Sequence, residues 1–254
     1  MGAGTRHRLQ LGEAAGLMAV TPDLAVETVD LDITPLRELN QRLHDLDPDA
    51  PSHPRWHVVH PGGRHAVAVG IDSDVEVDIE GHVGYYCAGM NKRATVRVHG
   101  NAGVGLAENI MSGSVIVDGN ASQSAGATGR GGLVVVHGDS SSRCGISMKG
   151  VDIVVHGSVG HMSAFMAQKG RLVVCGDAGD GLGDSIYEAR LYVRGSVAGL
   201  GADCVEKELR AEHVAELQEL LDRAGVADAG PSEFRRYGSA RRLYNFHVDN
   251  AGAY

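Results

Sequence analysis

His137 and His156 stand 19 residues apart, and the same step extended both ways collects Glu80, His99, Asp118, Cys175 and Arg194. Imidazole, carboxylate and thiol groups at one recurring position could hold a transition metal or move protons, provided that the chain sets them side by side. Two other sets invite chemistry. Gly179, Gly181 and Gly183 form a string of the kind that cradles phosphate when it follows a strand and opens a helix. Cys87 or Cys144, with one of 13 histidines, could form a nucleophilic pair. What each set can do depends on the element that positions it.

The glycines identify that element. Gly81, Gly100, Gly119, Gly138, Gly157, Gly176 and Gly195 recur every 19 residues without slippage, the signature of a repeat architecture. Four residues before the glycine stand Val77, Val96, Val115, Val134, Ile153, Leu172 and Leu191, and two before it Ile79, Val98, Val117, Val136, Val155, Val174 and Val193. Aliphatic residues two apart, closed by a glycine, describe a short strand with one buried face. The column between them runs Asp78, Arg97, Ile116, Val135, Val154, Val173, Tyr192. That gradient is expected of an outer surface covered in mid-stack.

Tiny residues recur three and seven places after each glycine, the second set being Ala88, Ala107, Gly126, Gly145, Ala164, Gly183 and Ala202. They suit corners that need positive φ or close backbone approach. A 19-residue unit is too short for two packed helices but fits one coil of a parallel β-helix, with neighbouring coils ~4.8 Å apart. The predicted fold is therefore all-β: a parallel β-helix of about seven 19-residue coils, with short flanking helices and a C-terminal tail. The 4% aromatic content agrees with a narrow interior, and the single Trp, Trp56, lies outside the 19-residue ladder.

Three parts follow. Residues 1–70 form a leader with one short helix over Thr34–Leu46, in which Thr34 could cap and Pro35 takes the first turn. The preceding TVDLDI alternates like a strand, and Pro48, Pro51 and Pro54 make an extended spacer. Residues 71–204 are the β-helix. Residues 205–254 hold an amphipathic helix over Glu206–Arg223, expected to close the open end of the stack, and then a tail. The tail carries Arg235, Arg236, Arg241 and Arg242 with Tyr244 and Phe246, a mixture enriched at interface hot spots, so it reads as a strap laid on another chain.

The repeat also weighs the candidate chemistries. The column holding His137 and His156 should face out, because the positions two and four before the glycine face in, so a solvated or partner-facing ladder is favoured over a metal site. The glycine string leaves no room for the helix that a phosphate cradle needs before the next coil begins. Four cysteines, Cys87, Cys144, Cys175 and Cys204, form no C-x-x-C pair and no hydrolase signature, so buried thiols are expected. The outer face lacks the paired acids and exposed aromatics of a carbohydrate-acting β-helix enzyme.

A net charge of -9 argues against general nucleic-acid binding. No apolar run is long enough to span a membrane. The first residues show no signal-peptide pattern, and Arg6 stands where a myristoylation motif needs Ser or Thr, so a cytoplasmic protein is expected.

From GHVGYYCAGM at 81 to VCGDAGDGLGDSIYEA, with the literal GXGXG at Gly179-Asp180-Gly181-Leu182-Gly183, the ladder resembles the GXGXG domain that ends the large subunit of glutamate synthase. Free-standing relatives of that domain occur in N-methylglutamate synthase and, more distantly, as the C subunit of formylmethanofuran dehydrogenase. The resemblance covers about 81–204 and implies a right-handed parallel β-helix that supports other domains and contributes no catalytic residue, cofactor or metal ligand. Its glycines carry over as structural positions only. It further implies partners: a class II glutamine amidotransferase-like subunit and an FMN-binding glutamate synthase-like subunit, FMN and an iron–sulfur cluster residing on them. The leader and the Arg-aromatic tail suit a separately encoded subunit, and the overall look of the ladder with the long tail favours the glutamate-synthase-like setting over the formylmethanofuran enzyme; a stand-alone β-helix enzyme is the other alternative.

Overall fold

The structure, a computed structural model, describes residues 25–241. Seven strands carry the 19-residue repeat: β3 (Glu76–Glu80), β4 (Thr95–Val98), β5 (Ser114–Val117), β6 (Leu133–Val136), β7 (Lys149–Val155), β8 (Lys169–Val174) and β9 (Arg190–Val193). Each pairs in parallel with the next, and the register runs Val77, Val96, Val115, Val134, Ile153, Leu172, Leu191 across the stack. That column and the one from Ile79 to Val193 are buried in a single core. Each aliphatic side chain placed there stabilises the coil by about 1.5–3 kcal/mol relative to exposure.

Beyond the anchoring glycine the coil turns, makes an isolated parallel bridge from Val83 through Ala102, Ala121, Ser140, Val159 and Ala178 to Val197, and turns again. The second turn is built from left-handed residues at alternate positions. In the coil after Gly81 they are Tyr86, Ala88 and Met90, and after Gly157 they are Met162, Ala164 and Met166, all with φ of 52–59°. Such φ costs a non-glycine residue about 1–2 kcal/mol. The amides here point alternately forwards and backwards along the stack, so that Tyr86 N–H donates to Val104 O, Ala88 N–H to Val67 O and Met90 N–H to Glu108 O. The amides of the left-handed residues thereby find partners in neighbouring coils, which offsets the strain. The small column at Ala88, Ala107, Gly126, Gly145, Ala164 and Gly183 is the middle of the three left-handed positions.

The leader extends the ladder. Strands β1 (Val26–Asp30) and β2 (Arg55–Val59) stack in parallel ahead of β3. Trp56, expected outside the ladder, pairs with Val77 and is buried at the same inward column, while Val58 continues the Ile79 column. The helix forms as α1 (Leu36–His44), shorter at both ends than the spacing predicts, and its N-cap is Pro35, not Thr34; no side chain caps it. Leu39 and Leu43 enter the core, and Asn40 both donates to Ala66 O and accepts from Ala68 N–H. By these contacts α1 closes the first end of the stack.

The other end is closed by strands. Glu206 and Lys207 belong to β10 (Cys204–Lys207), so the second helix, α2 (Ala211–Arg223), starts later than its amphipathic pattern suggests. It does not cap the open end. Leu217, Leu220 and Leu221 lie instead on the outer face of the sheet, against Val135, Val154, Val173 and Tyr192. The sequence then returns as β11 (Arg235–Ser239), antiparallel to both β9 and β10 and lying between them.

Candidate interaction surface

The anchoring glycine owes its identity to space. At Gly119 an added Cβ would stand 2.3 Å from Asn101 Oδ1 and 2.7 Å from Gly100 O, and at Gly157 2.2 Å from Asp139 Oδ1. The crowding atom belongs to a further column, one residue after the glycine: His82, Asn101, Asn120, Asp139, Ser158, Asp177, Ser196. Each of its first six members accepts the N–H of its counterpart in the next coil, at 2.7–3.0 Å. Sequence inspection missed this ladder, although seven short acceptors on one phase were there to be found. Its polar groups are engaged in holding coil to coil.

The outer sheet face divides at β5. Over β6–β9 it is apolar and covered by α2, which is also held by charge: Arg190 Nη1 lies 2.7 Å from Glu216 Oε2, Tyr192 donates to the same carboxylate, and Arg223 lies 3.7 Å from Asp152, which Arg171 of the next strand also grips. Burial, with the Glu216 hydrogen bond, pushes the Tyr192 phenol up. Over β2–β4 the face is open and carries Arg55, His57, Glu76, Asp78 and Arg97. The mid-stack gradient anticipated from the sequence is the footprint of α2.

The column before the glycine faces out, as its parity requires. Asp118 meets His99 Nδ1 at 2.7 Å and Arg97 at 3.0 Å, and His99 Nε2 lies 3.3 Å from Asp78. Partial burial lowers the His99 pKa, but the hydrogen bonds to Asp118 and Asp78 and the charge of Glu80 outweigh it, so the net shift is upward. Further along, His137 and His156 stack with ring centroids 4.7 Å apart. Burial and the neighbouring His137 hold His156 below the ordinary imidazole value. Cys175, in the same column, is buried in the cluster that α2 completes.

The remaining candidates resolve into packing. Cys87 and Cys144 are fully enclosed, and burial raises their pKa values to about 12 and about 11, the wrong direction for a nucleophile. At the GXGXG string, Gly179 is pressed against Gly160 and His161, Gly181 is left-handed beneath the Met162 side chain, and Gly183 is left-handed against Cys204 and Leu191. No helix opens from it.

The tail reading is changed as far as it is described. Arg235 donates to Gly195 O, Arg236 to Glu208 O, and Arg241 pairs with Asp203. Phe234 and Tyr237 are buried against the chain's own sheet. An antiparallel strand pairs with the β9 edge, so residues 235–239 fold back on the chain's own sheet. Arg242, Tyr244 and Phe246 lie outside the described residues.

Two surface features stand apart. Asp30, Asp32 and His60 place ligand-type atoms within 4.8 Å of one another, with Arg64 3.5 Å from Asp32. Tyr85, Tyr86, Met90 and Met111 are exposed together on the left-handed edge of the early coils. Among the described residues, no helix is long and apolar enough to cross a membrane.

Comparison with known proteins finds that Protein GlxC of Rhizobium meliloti (strain 1021) is 64% identical over 226 residues, covering 89% of this chain and 99% of that protein. No family model and no solved structure matches the chain.

Proposed function

Because this chain belongs to the family of Protein GlxC, we propose that it is the structural, non-catalytic β-helix subunit of a multi-subunit, FMN-dependent complex of the glutamate-synthase-like kind. The observation that carries this reading is the use made of the reactive-looking columns. The acceptors after the glycine bond the next coil, the thiols are sealed in, and the glycine string packs the stack. What the molecule presents is a rigid outer face with an open, charged half.

The reaction would then take place on partners: a class II glutamine amidotransferase-like subunit and an FMN-binding glutamate synthase-like subunit, the latter with an iron–sulfur cluster. Such a complex forms glutamate with glutamine-derived nitrogen or, in the N-methylglutamate synthase version, joins an amine such as methylamine to glutamate. It would work in the cytoplasm. The outer half-face over β2–β4 is the surface best suited to a partner, since the other half is already covered.

Co-expression with genomic neighbours of those two classes, followed by size-exclusion chromatography and a glutamate-forming assay, tests the reading. We expect co-elution, with turnover only in the assembled complex. Turnover by the isolated chain, or selective capture of molybdopterin and amidohydrolase-like chains instead, would overturn it.

A further inference from the structure

The outward column holds acid–imidazole neighbours at Glu80, His99 and Asp118, but at His137 and His156 two imidazoles adjoin, where the open half of the sheet face meets the covered half. Their rings stack at 4.7 Å, tilted by 38°. His156 Nε2 lies 3.3 Å from the Ala224 carbonyl, and a proton donated there leaves Nδ1 with a bare lone pair. His137 Nδ1 lies 3.8 Å from Asp118 Oδ1, too far for a hydrogen bond, so that carboxylate does not occupy the ring. The other Asp118 oxygen is fixed by His99 Nδ1 at 2.7 Å.

The surroundings favour a cation. Ala224 is the C-cap of α2, so the negative end of the helix dipole lies beside His156. Asp118 and Asp228 also lie close by, each shared with an arginine, Arg97 at 3.0 Å and Arg194 at 3.7 Å. Burial disfavours a protonated His156, so the ring is neutral, as a metal ligand must be. Zinc–nitrogen bonds of about 2.0–2.1 Å let one ion bridge two nitrogens up to ~4 Å apart, a separation compatible with rings stacked on adjacent coils. In the cluster of Asp30, Asp32 and His60, the imidazole is engaged with Asp30 at 2.8 Å and the Arg64 guanidinium lies 3.5 Å from Asp32.

We propose that His137 and His156 together bind a divalent transition-metal ion of the imidazole-preferring class, represented by Zn2+, with the Asp118 carboxylate as its acidic neighbour. Two protein nitrogens leave further positions for water or for a donor from a partner chain.

Calorimetric titration of Zn2+ into the full chain, repeated with Co2+ to read coordination by visible absorption, tests this without any partner. We expect one equivalent whose affinity falls by about tenfold or more in His137→Gln and in His156→Gln, and by a smaller factor in Asp118→Asn. His57→Gln, on the open half, should bind as the wild type does. His137 is exposed, so its variant remains informative if His156→Gln disturbs the seat of α2. Unchanged affinity in His137→Gln, or full retention of one equivalent in the double variant, overturns the site.

Discussion

The two halves of the outer sheet face share one backbone and differ in what lies over it. From β6 to β9 the column three before the glycine is Val135, Val154, Val173 and Tyr192, sealed by α2; at β3 and β4 it is Asp78 and Arg97, open to solvent. Strand pairing is parallel and in step through both. Coil stacking is therefore indifferent to the outward side chain, and that column records only its neighbour. The energetic consequence is unequal. Burying one aliphatic side chain under α2 contributes about 1.5–3 kcal/mol, whereas an exposed ion pair on the open half contributes about 0.2–1 kcal/mol.

The largest loss is expected where the chain closes over the β9 edge. Truncation after Ala229 deletes β11 with Phe234 and Tyr237 and uncovers the β9 edge, so the unfolding free energy should fall by more than about 4 kcal/mol in chemical denaturation. A tail that served only as a strap on another chain would leave the fold intact on this truncation, so an unchanged denaturation midpoint would favour the strap. Leu220→Ala keeps the helix but hollows the seal, and should cost about 2–5 kcal/mol. If it costs no more than an open-face substitution, the halves do not differ as described.

Corner substitutions test the shared backbone instead. Gly100→Ala and Gly176→Ala each place a Cβ 2.6 Å from the nearest atom of the preceding coil, and each should cost ~1–3 kcal/mol, alike on the two halves. Arg97→Ala, by contrast, should cost under about 1 kcal/mol and less still in high salt. The gentlest probe is histidine titration by NMR. His99 should titrate above 6.5 and His156 below it. The His99 contribution is complete below its unfolded value and is lost as pH rises through the raised folded one. For His156 the neutral ring is favoured, so its contribution is present above 6.5 and is lost as pH falls through the lowered value. Shifts of the same sign at both would erase the electrostatic difference.

Much of this was legible in the sequence because a strict period turns stacking into columns. The buried pairs, the sealed thiols, the outward histidines and even the footprint of a mid-stack cover follow from phase alone. The first two rungs escaped because Trp56 pairs with Val77, 21 residues on, and Glu27 with Trp56, 29 on. Neither interval is 19, and the longer one holds all of α1. The seat of α2 was hidden for a different reason: an amphipathic helix shows that it has a partner face without naming it, and an open stack end and an apolar sheet strip both qualify. Arg235 and Arg236 were misleading because strand pairing depends on backbone groups, which side-chain identity does not report.

The acceptor ladder after the glycines carries a last consequence. Each coil fixes the position of the next through a side chain one strand spacing away, so a residue inserted within a strand would turn that strand's inward side chains beyond it outward, whereas the first rungs take their extra residues between strands. The stack can change length only by whole turns of chain, each adding ~4.8 Å. It is a ruler with fixed graduations, and sites on partners attached at different marks are held apart by multiples of one unit.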